Sequence, residues 1–166
     1  MVYVERLAAR MVGGRITAIR LGSPFVVRTA EPPLSTASGR EVVSVRRIGK
    51  RLVLGLEDEL FLVVHLMIAG RLRWKRAGSS HRAKDVLVVF DVEREGAQGC
   101  LVFTEASPKK RASLHLVRGE AALRDFDRGG LDPFAIDVSA FAERLRLERH
   151  TVKRTLTDPT LFDGIG

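Results

Sequence analysis

The stretch Cys100-Leu-Val-Phe-Thr-Glu-Ala-Ser-Pro-Lys-Lys-Arg-Ala-Ser-Leu-His-Leu-Val117 decides how the chain is read. Apolar, β-branched and aromatic residues dominate Cys100–Thr104 and Ala112–Val117, so both ends are strand-like. Between them, Pro108-Lys109-Lys110-Arg111 forms a basic tip. A cationic loop held between two strands is a rigid means of presenting positive charge to a nucleic-acid groove or a phosphate. A solvated hairpin tip has the same composition, so the meaning of the loop rests on what surrounds it.

Outward from this loop, the hydrophobic period is two over most of the chain. Arg15–Leu21, Phe25–Arg28, Glu41–Ile48 and Lys50–Glu57 read as strands. Leu60–Met67 is apolar except for His65, as in a strand buried on both faces. Arg71–Arg76 alternates, with Leu72 and Trp74 on one face and Arg71, Arg73 and Lys75 on the other. Asp85–Glu93 and Gly99–Thr104 pair around Glu95-Gly96. Glu31–Arg40, Gly78–Lys84 and Gly119–Pro133 read as loops. Helical spacing occurs only near the two ends. It covers Val2–Val12, stopped by Gly13-Gly14, then Val138–Leu147, and a short segment from His150 to Thr157 before Asp158-Pro159. The expected fold is α+β and mainly β: a two-sheet β-sandwich of about eight strands, flanked by an N-terminal helix and C-terminal helices. Residues 1–133 are expected to form the sandwich, and residues 134–166 the start of a helical domain.

At 166 residues the chain suits one domain, or one domain plus part of another, and its 45% apolar residues supply a core. The net charge of +8, carried mostly by arginine, favours an anionic partner, of which nucleic acid is the commonest. The single cysteine, Cys100, excludes an internal disulfide framework and a cysteine-based zinc site. No signal-peptide pattern or membrane-length apolar run is visible, so a cytoplasmic protein without a membrane partner is expected.

Several motifs occur in a definite order. Gly49-Lys50-Arg51-Leu-Val-Leu opens a strand, and His65-Leu-Met-Ile-Ala-Gly-Arg-Leu72 ends one in a small-residue turn. Thr104-Glu105 leads into the basic loop, and Gly130-Leu-Asp-Pro133 follows the strands. Lys153, Leu156, Asp158 and Gly164-Ile-Gly166 close the chain. This ordered set, spanning nearly the whole chain, resembles the formamidopyrimidine-DNA glycosylase/endonuclease VIII family. The resemblance implies a β-sandwich joined to a helical domain with a helix–two-turn–helix. It also implies a base-excision-repair enzyme with DNA glycosylase and AP lyase activities, acting on oxidised or ring-opened bases flipped out of duplex DNA. The implied partner is damaged double-stranded DNA, and a nucleoid-associated monomer is expected. No cofactor is expected in this chain; the zinc of many family members belongs to a C-terminal finger outside it.

Residue by residue, Lys50 matches the family's DNA-facing strand lysine, which assists the lyase chemistry. A lysine there can hold a phosphate or transfer a proton; otherwise it is a strand-end lysine in water. His81 matches a loop histidine that contacts DNA. Lys109 falls where the family commonly has an arginine that enters the duplex opposite the lesion. Lys110 follows, and Arg111 replaces the family's void-filling aromatic. Ile68 lies near the family's methionine wedge, beside Met67, where it either fills the gap left by a flipped base or flanks the turn as a core residue. Arg149 and Lys153 sit where the helical part approaches the phosphates. His65 reads as a hydrogen-bonded core histidine, and Arg71, Arg73 and Lys75 as a solvated strand face.

The chain departs from the family at both ends. Family members begin Pro-Glu, the proline amine forming a Schiff base with the sugar; here Met1 precedes Val2. At Gly166 the family continues with further DNA-binding helices. A fragment without glycosylase activity of its own is therefore expected, the alternative being a non-enzymatic basic DNA-binding module on the same fold. An unrelated RNA-binding β-protein would need exposed aromatics for stacking, but aromatics make up only 6% of residues, mostly at core-like positions.

Overall fold

The computed structural model describes residues 2–79 and 83–165. The period-two segments fold as eight strands: β1 (Arg15–Leu21), β2 (Val42–Ile48), β3 (Arg51–Leu56), β4 (Leu60–His65), β5 (Gly70–Arg76), β6 (Val86–Arg94), β7 (Ala97–Glu105) and β8 (Ser113–Arg118). The helices are α1 (Val2–Met11), α2 (Gly119–Arg124), α3 (Val138–Arg146) and α4 (Val152–Thr157). The strands form two antiparallel sheets of four, ordered β1-β6-β7-β5 and β2-β3-β4-β8. This is the expected mainly β sandwich with helices toward both ends of the chain.

The alternation of side chains decides what each sheet face meets. Leu52, Leu54, Leu56, Leu60, Leu62, Val64, Leu114 and Leu116 point between the sheets, against Val88, Phe90, Val92, Leu101 and Phe103. The outer face of the second sheet carries Val53, Phe61, Val63 and Val117, which pack under Leu123 of α2 and against Phe126. That second layer is why β4 is apolar along both faces. Fully burying such a side chain contributes about 1.5–3 kcal/mol, so covering this face is worth a helix.

Two local expectations differ from the structure. Residues 119–124, within the segment read as irregular, form α2. This helix has only six residues, starts at Gly119 with φ +82° and carries no side-chain cap, so it rests on the contact of Leu123 rather than on its own propensity. Phe25–Arg28 is not a strand: Pro24–Val26 is a single 3-10 turn, followed by an isolated parallel bridge from Val27 to Leu114. Pro24 presets φ for the turn and cannot donate to a ladder.

The C-terminal helices α3 and α4 pack against each other. The Ala140 N–H donates to Asp137 Oδ1 at 2.8 Å, capping α3, and the Arg154 N–H donates to Thr151 Oγ1 at 3.4 Å, capping α4. Phe141 packs on Phe162 with ring centroids 4.8 Å apart, and Leu131 pairs with Phe162. No described helix is long and apolar enough to cross a membrane.

Candidate nucleic-acid interface

Strand register brings the sequence-predicted residues together. Arg51 pairs with His65, and His65 with Ser113, so β3 begins, β4 ends and β8 begins at one level. In the other sheet Gly70 pairs with Glu105, and Val86 with Thr104. The turn at Gly49-Lys50, the turn 66–69, the basic loop 106–112 and the entry to β6 therefore leave the sandwich at one end. The N-terminal turn of α1 lies there too: the Tyr3 hydroxyl donates to Leu72 O at 3.0 Å and accepts from the Leu72 N–H at 2.8 Å. Lys50, Ile68, Lys109 and Arg111 are all exposed at this end.

The basic loop is built around Glu105, the last residue of β7. Its carboxylate is only 2% exposed and accepts the backbone N–H groups of Arg111 and Ala112, both at 3.0 Å. Charge-assisted bonds from two successive amides fix how the chain turns into β8. Lys110 closes the loop from inside. It takes φ +41°, and its ammonium donates to the carbonyl oxygens of Glu105 and Lys84, with Asp85 at 4.0 Å. Its side chain is therefore tied back, whereas Lys109 and Arg111 on either side face solvent. The adjacent lysines thus differ in kind: one presents charge and the other holds the loop.

Ile68 is the tip of an equally fixed turn. The Gly70 N–H donates to Leu66 O at 2.8 Å, Met67 takes φ +54°, and the Arg71 guanidinium donates to Ile68 O at 2.9 Å. Ile68 is 89% exposed, which removes the reading of a turn-flanking core residue. Arg71 likewise braces this turn rather than merely solvating a strand face.

Lys50 occupies a two-residue turn between Ile48 and Arg51, with Gly49 at φ +58°. Arg47 secures that turn to the C-terminal segment. Its guanidinium donates to Gly49 O at 2.8 Å and pairs with Asp132 at 3.1 Å and Asp163 at 3.4 Å. Partly exposed pairs are individually weak, but three acceptors on one planar cation set its orientation.

His65 differs from its expected role. It is half-buried on the outer face of its sheet, and no described hydrogen bond involves its side chain. Burial, then the charges of Arg51 and Lys50, push its pKa down. His115 is held down in the same way, by burial, then Arg51, Arg28 and His65. Phe126 caps this patch, edge-on to His115 at 5.0 Å and under the Arg51 guanidinium at 5.5 Å.

His81 lies outside the described residues. Arg149 and Lys153 are exposed on the helical unit, and no described hydrogen bond or ion pair links either to the turns of the sandwich. The residues with unrecognised roles are Glu105, Arg47 and His65. A lone acid closing an apolar strand was the available signal for Glu105; Arg47 had none, because its acidic partners, Asp132 and Asp163, lie far along the chain.

The family model described as formamidopyrimidine-DNA glycosylase N-terminal domain matches residues 1–116. A formamidopyrimidine-DNA glycosylase of Variovorax paradoxus is 32% identical over 164 residues, covering 96% of this chain and 57% of the relative. One from Solibacter usitatus is 27% identical over 170 residues, covering 98% of this chain and 58% of the relative. Among solved structures, a Lactococcus lactis FPG mutant in complex with Fapy-dG containing DNA superposes with TM-score 0.85 at 25% identity, covering 99% of this chain and 60% of that one. The chain thus spans about three-fifths of the length of the relatives it matches. With the family model covering the sandwich from its first strand into β8, and the turns placed as described, the chain belongs to the formamidopyrimidine-DNA glycosylase N-terminal domain family.

Proposed function

We propose that this chain is the DNA-gripping part of a DNA glycosylase with AP lyase activity, which removes oxidised or ring-opened bases from duplex DNA in base excision repair. The convergence of Lys50, Ile68 and Lys109 on three internally braced turns at one end of the sandwich carries this reading. In it, the Lys50 ammonium holds a phosphate beside the lesion. Ile68 enters the stack where the damaged base has left, and Lys109 approaches the facing strand. Each side chain sits on a backbone that is already ordered, so binding orders little besides the side chains themselves.

Lys50, Ile68 and Lys109, the exposed residues that meet at this end of the sandwich, contribute grip and positioning. The first test is binding of the 166-residue chain to a duplex containing a tetrahydrofuran abasic-site analogue, across a salt series. Affinity should fall steeply with salt, and Lys109→Ala should reduce the magnitude of the log–log slope by roughly 1, as expected for one lost phosphate contact. Salt-independent binding, or a variant identical to the parent, would reject the interface. The second test is borohydride trapping. No covalent product is expected from this chain alone, and a product is expected once a Pro-Glu start and a complete helical domain are joined to it. Failure of that extended protein to trap would favour the non-enzymatic binding module.

A further inference from the structure

We propose that Phe25 is a stacking platform for an unpaired nucleobase at the DNA-facing end of the sandwich; this rests on the DNA-binding reading above. Phe25 is 79% exposed, although a phenylalanine is a side chain that folding ordinarily buries. The exposure is not that of a loose loop. The N–H groups of Gly22 and Ser23 donate to Leu87 O at 2.9 and 3.2 Å, and the Val27 N–H donates to Pro24 O at 3.2 Å. Val26, the next residue, is buried in the core, and the Arg28 N–H donates to Leu114 O at 2.9 Å. The ring is thus projected into solvent from a backbone held on both sides.

Its position follows from the one parallel pairing in this region. Val27 bridges Leu114, the second residue of β8, and Phe25 stands on the 3-10 turn just before Val27, toward the end of the sandwich where β8 begins. On the other side the turn leans on the start of β6, and Lys84 at that entry is hydrogen-bonded to Lys110. The segments that meet at this end present exposed cations, Arg28, Lys84, Lys109 and Arg111, while Asp85 is paired with Lys110 and Glu105 with backbone amides.

An exposed aromatic ring at an end that also presents exposed cations suits a base attached to a phosphodiester. The ring meets the π face, and the cations meet the backbone. A protein partner would more typically meet a contiguous apolar patch. Ile68 and Phe25 then divide the work: both stand at the same end, Ile68 on the turn between β4 and β5 and Phe25 on the turn that follows β1 and leads to the bridge with β8, so they meet the DNA at separate points. Any base has a π face, so Phe25 is expected to favour an unstacked base without reading its identity.

The test compares the full chain with Phe25→Ala, Phe25→Leu and Phe25→Trp. The probes are a fully paired duplex and the same duplex with a tetrahydrofuran residue facing 2-aminopurine. The ring is exposed, so the variants should retain the parent's urea midpoint. Phe25→Ala should bind the duplex holding the unpaired base roughly five- to a hundredfold more weakly. Its affinity for the paired duplex and its salt slope should not change. Phe25→Trp should restore binding, Phe25→Leu should not, and 2-aminopurine should fluoresce more brightly bound to the Ala variant than to the parent. Equal loss on both duplexes, or full recovery with Leu, overturns stacking. If the parent prefers the duplex with the unpaired base and Ala does not alter that preference, Phe25 is not the platform and its exposure points to a protein partner. If the parent binds neither duplex, the DNA reading itself fails, and this inference with it.

Discussion

Replacing Glu105 with alanine should unfasten the basic loop, and the structure sets the size of the effect. The carboxylate is 2% exposed and accepts two backbone amides at 3.0 Å. Hydrogen bonds to a charged acceptor contribute about 1.5–3 kcal/mol each, and a buried donor left unsatisfied costs about 1–3 kcal/mol. The two amides are not equivalent. Arg111 is exposed, so water can replace its lost acceptor, whereas Ala112 is buried and its N–H has no substitute. The expected loss is therefore about 3–5 kcal/mol, a large share of the roughly 5–15 kcal/mol that holds a domain together. A buried charge often contributes little because both partners can be exchanged for apolar groups. Here the donors belong to the main chain and remain whatever replaces the acid. Glu105→Gln keeps the volume but offers one acceptor oxygen and turns an NH2 toward the other amide, so about half the loss is expected. Urea unfolding followed through Trp74, the single tryptophan, measures both. Glu105→Ala within about 0.5 kcal/mol of the parent, the range of an ordinary surface substitution, would refute the idea that this carboxylate holds the loop.

The histidine patch and the Ile68 turn give two further expectations. His65 and His115 are both held below the ordinary histidine value of 6.5, by burial and then by neighbouring cations. The unfolded chain therefore takes up more protons than the folded one as pH falls below 6.5, and stability should decline through that window, above the carboxylate range. Urea midpoints at pH 7.5 and 5.5 should differ less once both histidines are Asn; an undiminished difference would dismiss them as the cause. At Gly70, an added Cβ would collide with the carbonyl oxygen of Leu66. Gly70→Ala should therefore destabilise the chain by about 1–3 kcal/mol and displace the Ile68 tip. An unchanged urea midpoint would show that the turn has room to adjust.

The alternation of Arg15–Leu21 and Arg71–Arg76, the doubly apolar run at Leu60 and the helical spacing of Val2–Met11 were legible in the sequence. Each reports a local property: which side chains of a given backbone conformation share a face. The basic character of the 106–112 loop and the ordered motifs were legible for the same reason, being properties of residue order. Propensity failed where a distant contact decided the outcome. Gly119–Arg124 is a weak helix held by Leu123 against the sheet, and Phe25 follows a proline that turns the chain out of a strand. Nor could the sequence distinguish two adjacent lysines, since Lys110 turns inward only because Lys84 and Glu105 meet it there. The convergence of Lys50, Ile68, Lys109 and Phe25 at one end depends on pairings such as Arg51 with His65 and Val27 with Leu114. The sequence by itself determined the strands, the charge and the family motifs, because these follow from side-chain order and backbone sterics. Only the tertiary structure decided which residues share a surface, because strand register and partner choice are settled by burying both sheets' inner faces at once.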